Sequence, residues 1–558
     1  MKRFVKCLAV ATILTLVGVS TSCKKKYNFD SKLALTSTAT SITVNATVKD
    51  PDNKINAKSV KARIIEVSSD NTESTKTTLS FTTLLTKNSK DEMIYSESQT
   101  ANKLEASTQY KVELYATVDG EAYTLATDSI STTSQGLNEN DPISVKTAED
   151  FKAMSNNLSA YYKLENDIDL GDAYTQSFTD TSPFNGTFDG NGHKITYKTT
   201  EAQSYQGLFG VVGKEGNVKN LTIYNSSISM SRYNNMYIGL VAGLNKGKIS
   251  NCKVLNEGEN SPSENIKVTS TSTSSSNNAY VGALVGQNDV NASIVDSLVQ
   301  AKIEITAQAK ATTGGAIGDN KGVISNITSK ADLTYITNST STSVTALTYQ
   351  IGGFVGNNEG RIDNCITEGN IDVTYQVSLT NTQRDESLIE SLGGFAGTLM
   401  SGSITNSVSN SSLKLRNVGG TIMYVGAFVG NVRPDRTNDS ALKNNVVVAQ
   451  NNKIEINLIS KDSEWKIKVK DGEEIKESDR IFKYGLINSA NKTSVESFNN
   501  DNSIYIIGSY TYKIDEVNDN ITSIPYTCDE SLIFANGTSY NAGKNDTVIE
   551  YIQNILKD

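Results

Sequence analysis

The sequence predicts an all-β protein: a right-handed parallel β-helix preceded by a small β-sandwich. Three observations carry that expectation. A glycine-rich segment recurs at Gly239, Gly282, Gly314, Gly352, Gly393 and Gly426, in steps of 43, 32, 38, 41 and 33 residues, and self-similarity at such a period marks stacked repeats. Within each repeat, apolar residues alternate or run in threes to six between Gly and Asn, the pattern of short strands rather than helices. Upstream of the repeats, from Leu33 to Ser134, glycine thins out, Thr and Ser multiply, and the strands alternate without a repeat.

Residues 1–22 read as an export signal. Met1 to Lys6 is a basic segment, and Cys7 to Gly18 is an apolar run too short for a membrane span. Small residues then lead to Cys23, which resembles the lipidated cysteine of a bacterial lipoprotein; Ser20 stands where that signal usually has Leu, and a non-lipidated secretory signal is the alternative. Residues 23–32 follow as a tether, in which Lys24, Lys25 and Lys26 would meet anionic headgroups.

Residues 33–134 read as about seven short strands of a β-sandwich. Ser41 to Val48 and Tyr110 to Val118 are two of them, with turns at Asp50-Pro51-Asp52-Asn53 and Asp119-Gly120. Leu104 to Tyr110 resembles the approach to the penultimate strands of fibronectin type III domains, which implies a spacer module. Residues 135–146 form a linker. From Thr147, an N-cap Thr with Asp150 three residues on predicts a short helix to about Asn157 that covers the open edge of the first coil.

Residues 147–558 hold the repeats. Each glycine above has a second four residues on, at Gly243, Gly286, Gly318, Gly356, Gly397 and Gly430. These pairs fit tight bends, where glycine takes positive φ at no steric cost. Each repeat then ends on an Ile or Val two residues before Asn220, Asn251, Asp296, Asn326, Asn364 or Asn406. Asn tolerates the left-handed region, and these side chains could stack and hydrogen-bond as a ladder. Cys252 and Cys365 each follow a ladder residue and read as inward-facing core residues three repeats apart, too far to bridge.

Quoted in full, Gly352-Gly353-Phe354-Val355-Gly356-Asn357-Asn358-Glu359-Gly360-Arg361-Ile362-Asp363-Asn364-Cys365 resembles the GLUG motif of bacterial surface proteins. The lead-in through Asn166-Asp167-Ile168-Asp169 to Asp189-Gly190-Asn191-Gly192-His193 resembles the opening of such domains. The resemblance spans roughly Ile143 to Asn444. It implies a display or adhesion scaffold, and the metallopeptidase found beside related repeats is missing.

Beyond Val432 the repeat decays. Asp471-Gly472 marks a charged hairpin near residues 461–480 that carries Trp465, the single Trp. It reads either as a solvated insertion or as a binding finger with Trp465 as a ligand contact. Tyr484 to Ile487, Tyr505 to Gly508 and Phe534 to Gly537 resemble degenerate coils, and Val548, Ile549, Ile552 and Ile555 have helical spacing.

The formal charge is −9, or −12 without Lys2, Arg3 and Lys6. An acidic chain without a basic stripe argues against nucleic acid. His193 is the single histidine, so a Ser-His-Asp triad can form only through it and no His-Glu-x-x-His zinc site exists; it reads as a structural turn residue. A carboxylate enzyme needs two acids on one face, yet Asp296, Asp319 and Asp363 fall at three different repeat positions. The acidic turns at Asp167 to Asp169 and at Asp189 leave calcium open as a cofactor, though side-chain caps explain them equally; no other cofactor is expected. Thr269 to Asn278, Thr337 to Thr342 and Ser378 to Glu390 all precede a glycine segment. They define one edge of the solenoid, either a binding face or a set of polar loops.

Together these readings predict a lipid-anchored protein of the outer membrane or cell surface of a Gram-negative bacterium. Its partners would be the membrane, through its lipid, and a glycan or host or extracellular protein ligand. The alternatives are a carboxylate-dependent polysaccharide lyase or glycoside hydrolase on the same β-helix, and a purely structural surface component.

Overall fold

The computed structural model describes residues 27–448 with short interruptions, the longest at 88–92, 340–347, 378–382, 385–389 and 434–440, and beyond them strand paths as far as Thr527. Cys23, Trp465, Phe534 to Gly537 and the helical pattern from Val548 lie outside the described residues. The described chain is almost entirely β, and it divides into two compact units at Ile143/Ser144.

The first unit is a pair of four-stranded antiparallel sheets. One orders Asp30–Ser37, Ser41–Asp50, Met93–Asn102 and Thr86–Lys87; the other orders Glu73–Ser80, Lys61–Val67, Gln109–Val118 and Glu121–Ser131. Alternation places Ile42, Val44, Ala46 and Val48 of one sheet in a shared core with Val112, Leu114, Ala116 and Val118 of the other. Burying each such Val or Leu contributes about 1.5–3 kcal/mol. Eight strands lie among the described residues, in keeping with about seven, and the unit starts earlier than the composition shift at Leu33. Tyr27 and Phe29 stack at 5.5 Å and both pack on Tyr123, so half of the expected tether belongs to the sandwich. Asp119 and Gly120 take φ of 51° and 89°, the left-handed pair that a two-residue hairpin turn requires. The buried Asp50 carboxylate accepts from the N–H groups of Lys54 and Ile55 at 3.0 and 2.8 Å and so caps its turn.

The second unit begins inside the expected linker: Ile143–Val145 is a strand, Val145 is buried, and its carbonyl accepts from Glu165 N–H at 2.9 Å. The helix is Ala148–Ala153 with a short 3-10 turn to Asn156. Thr147 and Asp150 form a reciprocal capping box, worth roughly 1 kcal/mol. Its one deeply buried residue, Phe151, packs edge-on against Phe188 and Phe209 at 5.6 and 5.9 Å.

From there the chain crosses once per repeat between two sheets of parallel strands. In the first, Phe188, Val218, Ile249, Ile294, Ile324, Ile362, Ile404 and Leu442 lie in one register row, all buried. In the second, Gly282, Gly314, Gly352, Gly393, Gly426 and Gly485 share a row. Phe482–Ser489 and Ile504–Ile507 thus continue the stack past Val432. Phe354, Phe395 and Phe428 stack face to face at 4.8 and 5.0 Å inside it.

The repeat glycines serve a different purpose from the one their spacing suggests. None of the twelve has a positive φ. A Cβ on Gly318 would instead lie 2.4 Å from Gly286 O and 2.6 Å from Val281 N, and one on Gly286 would lie 2.4 Å from Ile238 N. Two strands flanking a sharp arch run so close that no side chain fits between their backbones. The positive φ falls on the polar row instead: Asn220, Asn251, Asp296, Asn326, Asn364 and Asn406 lie between 49° and 57°.

Candidate functional site

The site is best assembled from the edge where the first sheet passes into the second. Outgoing strands Ile266–Ser270, Ser293–Ala307 and Val323–Ser339 end in register, as do the returning strands Ala279–Gly282, Lys310–Gly314 and Thr348–Gly352. Connectors 271–278, 308–309 and 340–347 therefore leave one edge. The same holds for 378–389 and 419–422, whose flanks pair in the same way. Connector 460–481 joins strands that continue both rows. It carries the charged hairpin Lys466–Asp471 and Glu474–Asp479, and Gln383–Arg384 of connector 378–389 pairs with its first strand. The strand ends that flank the Ser/Thr segments and the hairpin, separate in the sequence, thus share one edge; parts of those segments, like Trp465, fall outside the described residues.

Along the start of the returning strands runs a row of rings. Tyr205, Tyr237 and Tyr280 stack face to face at 5.0 and 4.9 Å, each partly exposed. Burial pushes the Tyr237 phenol up to about 12, so it stays neutral over the physiological range. Three connectors beside the row are tied to one another. The Arg232 guanidinium donates to Ser204 Oγ at 2.8 Å and to Ala202 O; Asn278 N–H donates to Asn235 Oδ1 at 2.7 Å; Asn277 Nδ2 donates to Tyr233 O at 3.2 Å. Tyr233 stands 52% exposed. No expectation from the sequence covers this row, although Tyr205, Tyr237, Tyr280 and Tyr424 all stand two residues before a motif glycine.

The polar turns form two ladders. In the outer one, Asn220 Nδ2 donates to Asp189, Asn251 to Asn220, Asn326 to Asp296 and Asn364 to Asn326, at 2.8–3.0 Å. The Asp296 side chain has no N–H to offer, and no rung joins it to Asn251 among the described residues. Asn406 donates to Asp363 at 2.7 Å, one position aside from Asn364. The inner ladder is fully buried: Asn245 donates to Asn288, Asn288 to Asn320 and Asn320 to Asn358, at 2.7–2.9 Å.

The acids do not converge. Asp319 is 2% exposed; it accepts from Gln287 Nε2 at 2.6 Å and Asn357 Nδ2 at 2.8 Å, with Lys321 Nζ at 3.7 Å. Asp363 accepts from Thr405 Oγ1, and Asp296 is an exposed ladder member. His193 Nδ1 faces Asp167 at 3.1 Å. The Asp167, Asp169 and Asp189 carboxylates accept from backbone N–H groups in their own turns or the next. Among the described residues, no group of three or more His, Cys, Asp or Glu gathers as for a metal ion. Cys252 and Cys365 are buried free thiols, and burial pushes the Cys252 thiol up to about 12.

Asp319 yields a stability prediction. Burial holds its carboxyl above the ordinary carboxylate range, so its contribution is full below that range and is lost as pH rises through the folded-state value. The neighbouring Asn357 Oδ1 is buried without a partner. An amide at 319 would remove the buried charge, and turning over the Asn357 amide would let its Oδ1 accept from the new N–H where Nδ2 now donates. Asp319→Asn is expected to raise stability at neutral pH by about 1 kcal/mol. The gain should shrink on acidification, as read by thermal melts of both proteins across pH; a loss at neutral pH sinks this account.

No family model matches the chain, and no solved structure matches it. Over 140 residues it is 30% identical to a Gly-rich membrane protein of Evansella cellulosilytica; the match covers 23% of this chain and 16% of that protein. Among the described residues, no helix is long and apolar enough to cross a membrane.

Proposed function

We propose that the chain is a lipid-anchored surface protein of the GLUG-repeat kind, whose stacked unit is a right-handed β-helix displaying a ligand-binding edge. The observation that carries this reading is the alignment, along one edge beside a partly exposed tyrosine row, of the strand ends that flank the first-to-second-sheet connectors, with the hairpin among them. Repeat proteins commonly bind through such an edge. The sandwich serves as a fibronectin type III-like spacer. Its strand order supports this, as does Tyr110, whose buried ring places its hydroxyl to accept from Glu105 N–H at 2.9 Å, the corner expected at that strand. Export and lipidation at Cys23 rest on the N-terminal sequence, and the partial likeness to a membrane protein agrees with membrane attachment. Dispersed, internally bonded acids favour binding over cleavage.

The test spreads the chain from Tyr27 onward over polysaccharides, mucins and matrix proteins, with and without calcium, reading retention and released fragments from the same wells. Retention without fragments is the expected result. Released sugars would overturn it in favour of a carbohydrate-cleaving enzyme, and silence in both would favour a structural role.

A further inference from the structure

Resting on the binding-edge reading, we infer that the tyrosine row and Tyr233 form a subsite for a neutral, linear glycan laid along the stacking direction. Face-to-face stacking covers both faces of Tyr237 and one face each of Tyr205 and Tyr280, so the row presents ring edges that recur once per coil at 5.0 and 4.9 Å. A regular polymer with hydroxyls along its length meets such a row in the same way at each step. Tyr233 adds what the row lacks. Its ring enters none of the described stacks, is 52% exposed, and sits on a connector anchored through its own carbonyl by Asn277. An open aromatic face of this kind suits the apolar face of a sugar ring.

The polar groups beside the row match hydroxyls rather than ions. Asn278 stands two residues before Tyr280, just ahead of the strand Ala279–Gly282, and its Nδ2 donates at 2.9 Å to Oγ1 of Thr312, the residue paired with Tyr280. Its Oδ1 is buried with no partner, as is Nε of Arg232. One is an acceptor and the other a donor. Of the charges nearby, Lys246 pairs with Asp180 at 2.5 Å and Lys321 with Asp319, while the Arg232 guanidinium is turned to Ser204 Oγ and Ala202 O. The tied connectors hold the surface ready, which lowers the ordering cost of binding.

The experiment measures equilibrium binding of the full chain to cello-, xylo-, manno- and malto-oligosaccharides, from monosaccharide to hexamer. Affinity for at least one series should climb with length and level off once the three rings and Tyr233 are covered. Tyr237→Phe keeps the ring stack and should leave the melting temperature unchanged while weakening binding about fivefold, the loss of one hydrogen bond. Tyr233→Ala should weaken it about fivefold to tenfold. Binding that ignores length, or that both variants leave intact, overturns the inference. So does capture of a mucin or matrix protein with no oligosaccharide bound, an outcome under which the binding edge stands and only the glycan assignment falls. If nothing binds, both fall.

Discussion

Gly318→Ala is expected to cost about 3 kcal/mol or more, because the added carbon meets backbone that cannot move aside. Its nearest neighbours would be Gly286 O at 2.4 Å and Val281 N at 2.6 Å, both inside paired strands. Relieving the overlap means opening the arch, and the arches above and below share its register. Gly192→Ala makes the comparison informative. Gly192 has φ of +79° and nothing within 4 Å of its ideal Cβ, so only the left-handed penalty of about 1–2 kcal/mol applies there. Urea unfolding followed by circular dichroism ranks the two. If Gly318→Ala costs no more than Gly192→Ala, close approach is not what these glycines provide.

The second large effect falls on the inner ladder. Asn320→Ala is expected to cost about 3 kcal/mol, from stranded partners plus a small cavity. It removes the acceptor of Asn288 Nδ2 and of Gly322 N–H, and the donor to Asn358 Oδ1, all in a region without solvent access. Asn326→Ala in the outer ladder should cost about half as much, because water replaces the lost bonds and the remaining penalty is the φ of 57°. Leu399 and Val432 occupy the inner row in later coils, so the row accepts apolar residues when they replace the ladder together. Asn320→Leu alone should therefore still destabilise, since it strands the same three groups. Equal losses for Asn320→Ala and Asn326→Ala in the same unfolding assay would show that burial is not the deciding difference.

Much of the second unit is legible because its signals are local and repeated. The Ile or Val two residues before each outer asparagine recurs at every pass, and those residues form one register row. The capping pair Thr147 and Asp150 is legible for the same reason. The glycines are visible as positions, but their purpose depends on how near another strand passes, which a linear pattern does not encode. Asn245, Asn288, Asn320 and Asn358 stand in plain view at the end of each glycine segment, yet whether they point inward depends on the geometry of the arch. Asp319 aligns with Leu244, Gln287 and Asn357, an alignment that reveals the row but not its burial. The tyrosine row carries a local signal, Tyr two residues before Gly, that a search confined to charged and nucleophilic residues passes over. In the sandwich, Tyr27 and Phe29 join the core through a contact with Tyr123 far along the chain, invisible to any window of neighbours.

The alignment of the connectors also bears on how such a chain diversifies. Every connector begins and ends on strands whose positions are set by their own rows, not by the connector. Lengthening one therefore costs mainly loop-closure entropy, about 0.6 kcal/mol for each doubling, while the buried rows are untouched. Connectors 308–309 and 460–481 already differ greatly in length on the same edge. Insertions and deletions there are close to neutral for folding, so sequence change can accumulate on the one edge proposed to meet ligands while the repeats that support it stay constant.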